Sequence, residues 1–309
     1  VASLDHPALL YSNPEEFLGF MAPYVRRGLD ADETVFVAAR SDNLAALRAE
    51  LGSDGATVRW ADTDSWHPHT GTRLRAFHDL VTEEVAGGRS HIRLAGEPVW
   101  PNREPGLTGE WQRYESVLNH VLEPYPVSLV CLYDAAILPA PILDVARQTH
   151  PAISRGNGVE PSAAFVDPTE FLRLSAPKLT RPPIEASRLT DLDDLSAARH
   201  FLEDRAVQAG VDRDRASDLC LAANEVLTNA IVHADGIADL STWIEDDRFV
   251  CNIRDRGPGL GDPLAGYRPP TGQAVNGYGL WMARQLVDLV QVSASDDGTD
   301  VRLHARRAA

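Results

Sequence analysis

The chain is almost without lysine: Lys178 is the single one among 29 basic residues, and the other 28 are arginine. The bias itself reads as codon usage in a GC-rich genome. Its consequence is chemical, because no Gly-x-x-x-x-Gly-Lys-Ser/Thr run occurs anywhere, so a P-loop is excluded. Cysteine is nearly as scarce. Cys131, Cys220 and Cys251 are odd in number, far apart and each set in an apolar run, as small buried hydrophobes are. That excludes a disulfide framework and predicts a reducing, cytoplasmic setting. A basic, apolar leader is missing at Val1, and the longest apolar stretch, 127–146, is broken by Asp134, Pro139 and Pro141. Neither a signal peptide nor a membrane span is therefore expected. Positive charge is also short: 29 basic against 45 acidic residues leave −16. Residues 1–155 carry 13 Arg against 21 acids and the remainder 16 basic residues against 24, so each part stands at −8. No basic arm exists to neutralise a phosphate backbone, which argues against direct nucleic-acid binding and for a basic or polyanion-carrying partner.

What remains is an ordinary globular mix, 44% hydrophobic and 24% charged, over 309 residues, enough for two domains. In the first part, strand-like runs at 34–39, 57–61, 91–95 and 128–133 alternate with helix-period segments at 14–28, 43–51, 71–87 and 109–122. Such alternation predicts an α/β domain with a mostly parallel sheet, over residues 1–152. From 153 to 185, glycines and prolines punctuate a stretch with little pattern, read as a linker in which Phe165 and the run 171–174 could dock on a domain surface. Residues 186–309 begin with helical segments at 192–209 and 212–234. Strands follow at 239–244, 249–255, 289–295 and 299–305, with a helix at 279–288. Helices first and strands later predict an α+β sandwich with helices on one face of a mixed sheet.

Four pieces of this second part carry chemistry. On the helix 224–232, Glu225 and Asn229 are four residues apart, beside an apolar stripe of Leu219, Ala222, Val226 and Ala230. A helix edge with incidental polar residues would read the same way. Next, the strand 249–253 delivers Asp255 into Asp255-Arg256-Gly257-Pro258-Gly259, a turn at which a planar base could approach the backbone and donate an amine to the carboxylate. Ordinary strand ends are also rich in Asp and Gly. Third, Asn276-Gly277-Tyr278-Gly279-Leu280 leads into a helix, where free N–H groups favour phosphate. Last, Gly298-Thr299 opens the final strand with a hydroxyl.

Together, in this order, the four pieces resemble the ATP-binding fold of the GHKL superfamily. Glu225-x-x-x-Asn229-Ala230-x-x-His233 resembles its N box, Asp255-x-Gly257-x-Gly259 its first glycine box and Gly277-x-Gly279-Leu280 its second. Within the superfamily, the phrase from Asn224 to His233 and the 17 residues between Gly259 and Gly277 are most similar to bacterial anti-sigma-factor serine/threonine kinases. The final strand lies close to Ala309, and the same resemblance implies that no transducer domain is expected after it. The resemblance implies that Asn229 holds Mg²⁺ and that Asp255, with Thr299 nearby, binds the adenine of ATP. It implies that Gly277, Gly279 and Leu280 wrap the phosphates, and that Glu225 is the general base toward a serine, threonine or water. Phosphoryl transfer needs little beyond such positioning and charge neutralisation. Tyr278 departs from the pattern, standing where a basic or small residue is common; Arg284, one turn into the helix, could supply the positive charge instead, but the favoured reading is a surface helix arginine. The partners implied are an STAS-type anti-sigma-factor antagonist, a sigma factor or both, in a possible homodimer. Two alternatives stay open: a non-catalytic ATP-binding module, and a histidine kinase using His200 on the helix 195–206.

Residues 5–151 resemble the MEDS sensory domain of DcmR-type regulators. The likeness rests on His6 with Tyr11, Arg93-x-x-Gly96-Glu97-x-x-Trp100, Tyr114-Glu115 with Leu118-Asn119, Cys131-x-Tyr133-Asp134, and His150-Pro151. It implies a RecA-like or KaiC-like layer without nucleotide chemistry. Ligands of doubly wound sheets sit at the carboxyl ends of the strands. His6, Tyr11, Arg40, Glu97, Trp100, Tyr133 and Asp134 are accordingly the candidate site for a small effector, with Asp62 at the same edge; caps and half-buried aromatics have the same composition. His67-Pro68-His69 lacks the acid or cysteine that a tetrahedral metal site needs.

Overall fold

A computed structural model of the chain describes residues 4–67, 69–98, 105–155, 158–192, 195–233, 238–269, 278–295 and 297–308, with the backbone alone described at 105, 187–192 and 233. The chain divides into two compact units, Val1–Leu172 and Arg173–Ala309.

The first unit is an α/β layer. Its elements run β1 (Pro7–Tyr11), α1 (Pro14–Asp30), β2 (Thr34–Ala39), α2 (Ser41–Leu51), β3 (Arg59–Asp62), α3 (Thr70–Ala86), β4 (Ile92–Gly96), α4 (Pro105–Leu122), β5 (Val127–Asp134), α5 (Ala140–Thr149), β6 (Ala152–Ser154), β7 (Val159–Pro161) and α6 (Pro168–Leu174). The strands form one seven-stranded sheet in the order β3-β2-β4-β5-β1-β6-β7. Every pairing is parallel except β6 with β7. Strands β1, β2 and β5 are apolar on both faces, as a sheet covered on both sides demands. Helix α1 starts where Asn13 Oδ1 accepts from the Glu16 N–H and Glu16 Oε2 accepts from the Ser12 N–H, a reciprocal cap. It buries Phe17, Met21 and Val25 against Leu9, Val37 and Val130. The stretch read as linker supplies β6, β7 and α6, and on α6 Phe171 and Leu172 are buried.

In the second unit the order is β8 (Ser187–Leu192), α7 (Leu195–Gln208), α8 (Arg213–His233), β9 (Ala238–Glu245), β10 (Arg248–Asp255), α9 (Tyr278–Leu286), β11 (Leu289–Ser295) and β12 (Gly298–Arg306). The sheet order is β11-β12-β10-β9-β8, and every described pairing is antiparallel. The mixed sheet expected from sequence is thus corrected: short reversals at 245–248 and 295–298 impose antiparallel neighbours, which need no crossover helix. Leu219, Ala222, Val226 and Ala230, the apolar stripe of α8, pack with Leu240, Cys251, Ile253 and Leu303 from the sheet and with Leu280 and Ala283 from α9. Inside the sheet, His304 sits 3.0 Å from Gln291 Oε1. Burial first, then the Arg248 and Arg302 charges, push its imidazole down to about 3.

Candidate nucleotide site

Helix α8 is long enough to carry one stripe into the core and a second past it. Val226 and Ala230 lie in the core, while Glu225 is half-buried and Asn229 exposed at the edge of the packed face. Helix α9 crosses at this edge. Its second residue has no side chain for a specific reason: a Cβ on Gly279 would stand 2.9 Å from Asn229 Nδ2, 3.2 Å from Glu225 Cβ and 3.3 Å from Glu225 Oε2. A bare backbone at the start of α9 therefore rests on both polar residues of α8, with Leu280 buried just behind. Glu225 and Asn229 make no hydrogen bond or ion pair among the described residues, so both polar ends remain available.

A second cluster forms around the end of β10. Asp255 Oδ1 accepts two backbone N–H groups, from Gly257 and from Thr299, each at 3.0 Å. Oδ2 accepts nothing from the described residues, leaving one oxygen to receive an outside donor. The turn after Asp255 is locked onto the β11–β12 hairpin by two glycines. Gly259 has φ +78°, and its Cβ would lie 2.5 Å from the Ser295 carbonyl oxygen. Gly298 has φ +126°, and its Cβ would lie 2.0 Å from the Asp255 carbonyl oxygen. Side chains are excluded from both places by backbone, not by movable groups.

One segment connects the two clusters. Gly266, at φ +79°, would place a Cβ 2.6 Å from Leu280 Cβ, so the chain that leaves the Asp255 turn is pressed against the first turn of α9. Tyr267 is buried there, with the Arg284 guanidinium 3.8 Å from its ring centroid. Arg284 is therefore not the surface arginine expected: it is buried on Tyr267, and its Nη1 donates to the Val290 carbonyl. The structure thus brings Glu225 and Asn229 to Gly279 and Leu280, and Asp255, Gly257 and Gly259 to Thr299. Gly277 and the His233 side chain lie outside the described residues. Gly266 and Tyr267 were not anticipated; a Gly-Tyr pair in an aperiodic stretch gives only a turn signal. His200 is exposed on α7, its Nδ1 turned back to the Ser196 carbonyl at 2.8 Å.

The candidate effector residues of the first unit fall into two groups. Tyr11, Arg40, Glu97 and Asp134 meet at the carboxyl ends of β1, β2, β4 and β5. Glu97 accepts from Tyr11 OH at 2.9 Å, and from the Arg40 N–H and Nε at 2.9 and 2.8 Å; Arg40 Nη2 reaches Asp134 Oδ2 at 3.0 Å. Asn43, overlooked in the sequence because it reads as a helix-start residue, donates to both Tyr11 OH and Glu97 Oε2. Burial and then Glu97 raise the Tyr11 hydroxyl well above its ordinary value. Burial works against the Arg40 charge, but Glu97, then Tyr11 and Asp134, outweigh it and hold the guanidinium more basic than usual. His6 and Tyr133 are not in this group. They meet Cys131, Asn119, Glu115 and His150 instead. Asp62 accepts from Ser41 and from the Asp64 N–H, and Trp100 lies outside the described residues.

A bare helix start over an acid–amide stripe, on an antiparallel sheet covered by helices, is compatible with nucleotide binding, and sequence-family comparison agrees. Residues 189–305 match the histidine kinase-like ATPase domain family, and residues 5–151 match the family described as MEDS, the methanogen/methylotroph DcmR sensory domain. The chain therefore joins a MEDS domain to a histidine kinase-like ATPase domain. No curated protein matches the chain in sequence. Among solved structures, the RsbU and RsbW domains of Rv1364c from Mycobacterium tuberculosis match with 20% identity and a TM-score of 0.31, over 42% of this chain and 34% of that one. The chain thus spans about a third of that structure's length. The Acinetobacter baumannii histidine kinase AdeS matches with 13% identity and a TM-score of 0.27, over 77% of this chain and 97% of that one. Among the described residues, no helix is long and apolar enough to cross a membrane.

Proposed function

We propose that the chain is a cytoplasmic partner-switching regulator whose second unit uses Mg-ATP to phosphorylate a serine or threonine of an STAS-type anti-sigma-factor antagonist, sequesters a sigma factor, or does both. The observation that carries the reading is the approach of Gly279 to Glu225 and Asn229, because it places an acid and an amide against the N–H groups of a helix start. The residues present fit the nucleotide: a side chain on Gly279 would crowd Asn229 and Glu225, and Asp255 keeps one oxygen for an exocyclic amine. Asn229 would hold Mg²⁺ through its amide oxygen, and Gly277, Gly279 and Leu280 would face the phosphates. Mg-ATP supplies the phosphoryl group and the charge that neutralises its transfer. Glu225 accepts the proton of the attacking hydroxyl, and Gly266 and Tyr267 pack against Leu280 and Arg284 of α9.

The first unit acts as the sensor, with Tyr11, Arg40, Asn43, Glu97 and Asp134 as its small-effector site. Its parallel strands flanking β1 support a RecA-like or KaiC-like origin. A homodimer is the expected assembly.

The test incubates the full chain with labelled ATP and STAS antagonists. Acid-stable label on the antagonist, lost in Glu225→Gln while ATP affinity is kept, is the expected result. Tight ATP binding with no transfer would make the domain a conformational ATP module. Acid-labile label on the chain itself, lost in His200→Ala, would make it a histidine kinase.

A further inference from the structure

Outside both sites just described, His6, Glu115, Cys131 and His150 come together, each no more than 2% exposed. One ligand atom of each lies within 4.8 Å of all the others. They arrive from four segments: the residue before β1, the middle of α4, the centre of β5 and the residue that ends α5.

The outer atoms of the two imidazoles are fixed. Asn119 Nδ2 donates to the Ser116 and Thr149 carbonyls at 3.0 and 2.8 Å, which orients Oδ1 as the acceptor 2.9 Å from His6 Nδ1. His150 Nδ1 lies 2.8 Å from the Ala146 carbonyl oxygen. Both Nδ1 atoms therefore carry their protons outward, and both Nε2 lone pairs point into the cluster. There His6 Nε2 is 3.4 Å from Cys131 Sγ. His150 Nε2 makes no hydrogen bond and faces Glu115 Oε2 at 3.5 Å, while that oxygen accepts from Tyr133 OH at 3.1 Å. A buried lone pair facing a carboxylate is unfavourable unless a proton or a metal cation lies between them.

We propose that His6, Glu115, Cys131 and His150 form a tetrahedral site for a divalent cation of the zinc class. Metal–ligand bonds of about 2.0–2.3 Å set ligand atoms of a tetrahedron about 3.3–3.8 Å apart, the range of the two close pairs here. Two nitrogens, a sulfur and one carboxylate suit Zn²⁺, whereas Mg²⁺ and Ca²⁺ take oxygen shells. Charge balances as well: Cys131 gives up its thiol proton to solvent, and thiolate plus carboxylate cancel the dication between two neutral imidazoles. Four protein ligands close the shell, so the ion is structural and ties β1 and β5 to α4 and the end of α5.

The full chain, stripped with a chelator and titrated with Co²⁺, tests this. Expected are one Co²⁺ per chain, the intense visible bands of tetrahedral cobalt, a thiolate-to-cobalt charge-transfer band, and displacement of all three by Zn²⁺. Cys131→Ser abolishes the charge-transfer band, Cys220→Ser keeps it, and Asn119→Ala, which leaves every ligand in place, weakens Zn²⁺ binding about 10–100-fold. Absence of stoichiometric metal, or a charge-transfer band that survives Cys131→Ser, overturns the proposal. Should Cys131→Ser fail to fold, zinc-edge X-ray absorption of the loaded wild-type chain reads the same point: one sulfur in the shell is expected, and a shell without sulfur refutes the site.

Discussion

Gly279→Ala separates binding from stability at the proposed nucleotide site. The added methyl would lie 2.9 Å from Asn229 Nδ2, against about 3.5 Å for an ordinary contact, so the amide must retreat by roughly half an ångström or more. Asn229 is a flexible, exposed side chain, so its retreat costs little folding energy. Alanine meanwhile is favoured over glycine in a helix by up to about 1 kcal/mol. The same methyl would stand 3.2 Å from Glu225 Cβ, a tight contact held by the α8 backbone that offsets this gain, so the melting temperature should stay within a few degrees of wild type. Binding should respond far more strongly. Displacements approaching 1 Å in a positioning group cost on the order of 100-fold, so Mg-ATP affinity should fall about 10–100-fold. Calorimetric titration beside a thermal melt reads both quantities. Affinity within twofold of wild type would show that Asn229 and the start of α9 do not grip one ligand. A melt lowered by many degrees would show that the contact is structural.

Gly298→Ala should behave differently, because its Cβ would meet the Asp255 backbone at 2.0 Å and φ is +126°. A loss of about 3 kcal/mol or more in urea unfolding is expected, and an unchanged midpoint would mean that the hairpin and the Asp255 turn are not locked together. His304 makes the second unit sensitive to acid. Its folded value of about 3 lies below the unfolded value near 6.5, so the unfolded chain binds the extra proton first. The stability it contributes is complete above pH 6.5 and drains away as pH falls toward 3, by about 1.4 kcal/mol per unit. In His304→Gln this portion of the pH dependence should vanish; urea midpoints that stay parallel to wild type from pH 7 to pH 4 would contradict it.

Much of the geometry of the candidate nucleotide site was legible because its parts are local. A 3.6-residue period puts Glu225 and Asn229 beside an apolar stripe, and an apolar strand ending in Asp255 before two glycines marks a turn wherever it falls. Contacts made by aperiodic segments were not legible. Arg284 reads as a surface residue because nothing in the sequence announces that Tyr267 will cover it. The β6–β7 pair, three residues each, is too short to rise above its proline-rich surroundings. Placing Tyr133 with Asp134 failed for a reason the sequence does contain. Neighbours on a strand point to opposite faces, so one joins Arg40 and the other joins Glu115 and His150.

The last strand in chain order, β12, is not at an edge: it lies between β10 and β11, and its Thr299 N–H is one of the two groups that hold Asp255. During synthesis, β9 and β10 leave the ribosome long before this strand. Until it inserts, β10 has a bare edge and Asp255 lacks one of its two anchors. A nascent chain halted before β12 should therefore be blind to ATP and prone to pairing its open edge with a stranger.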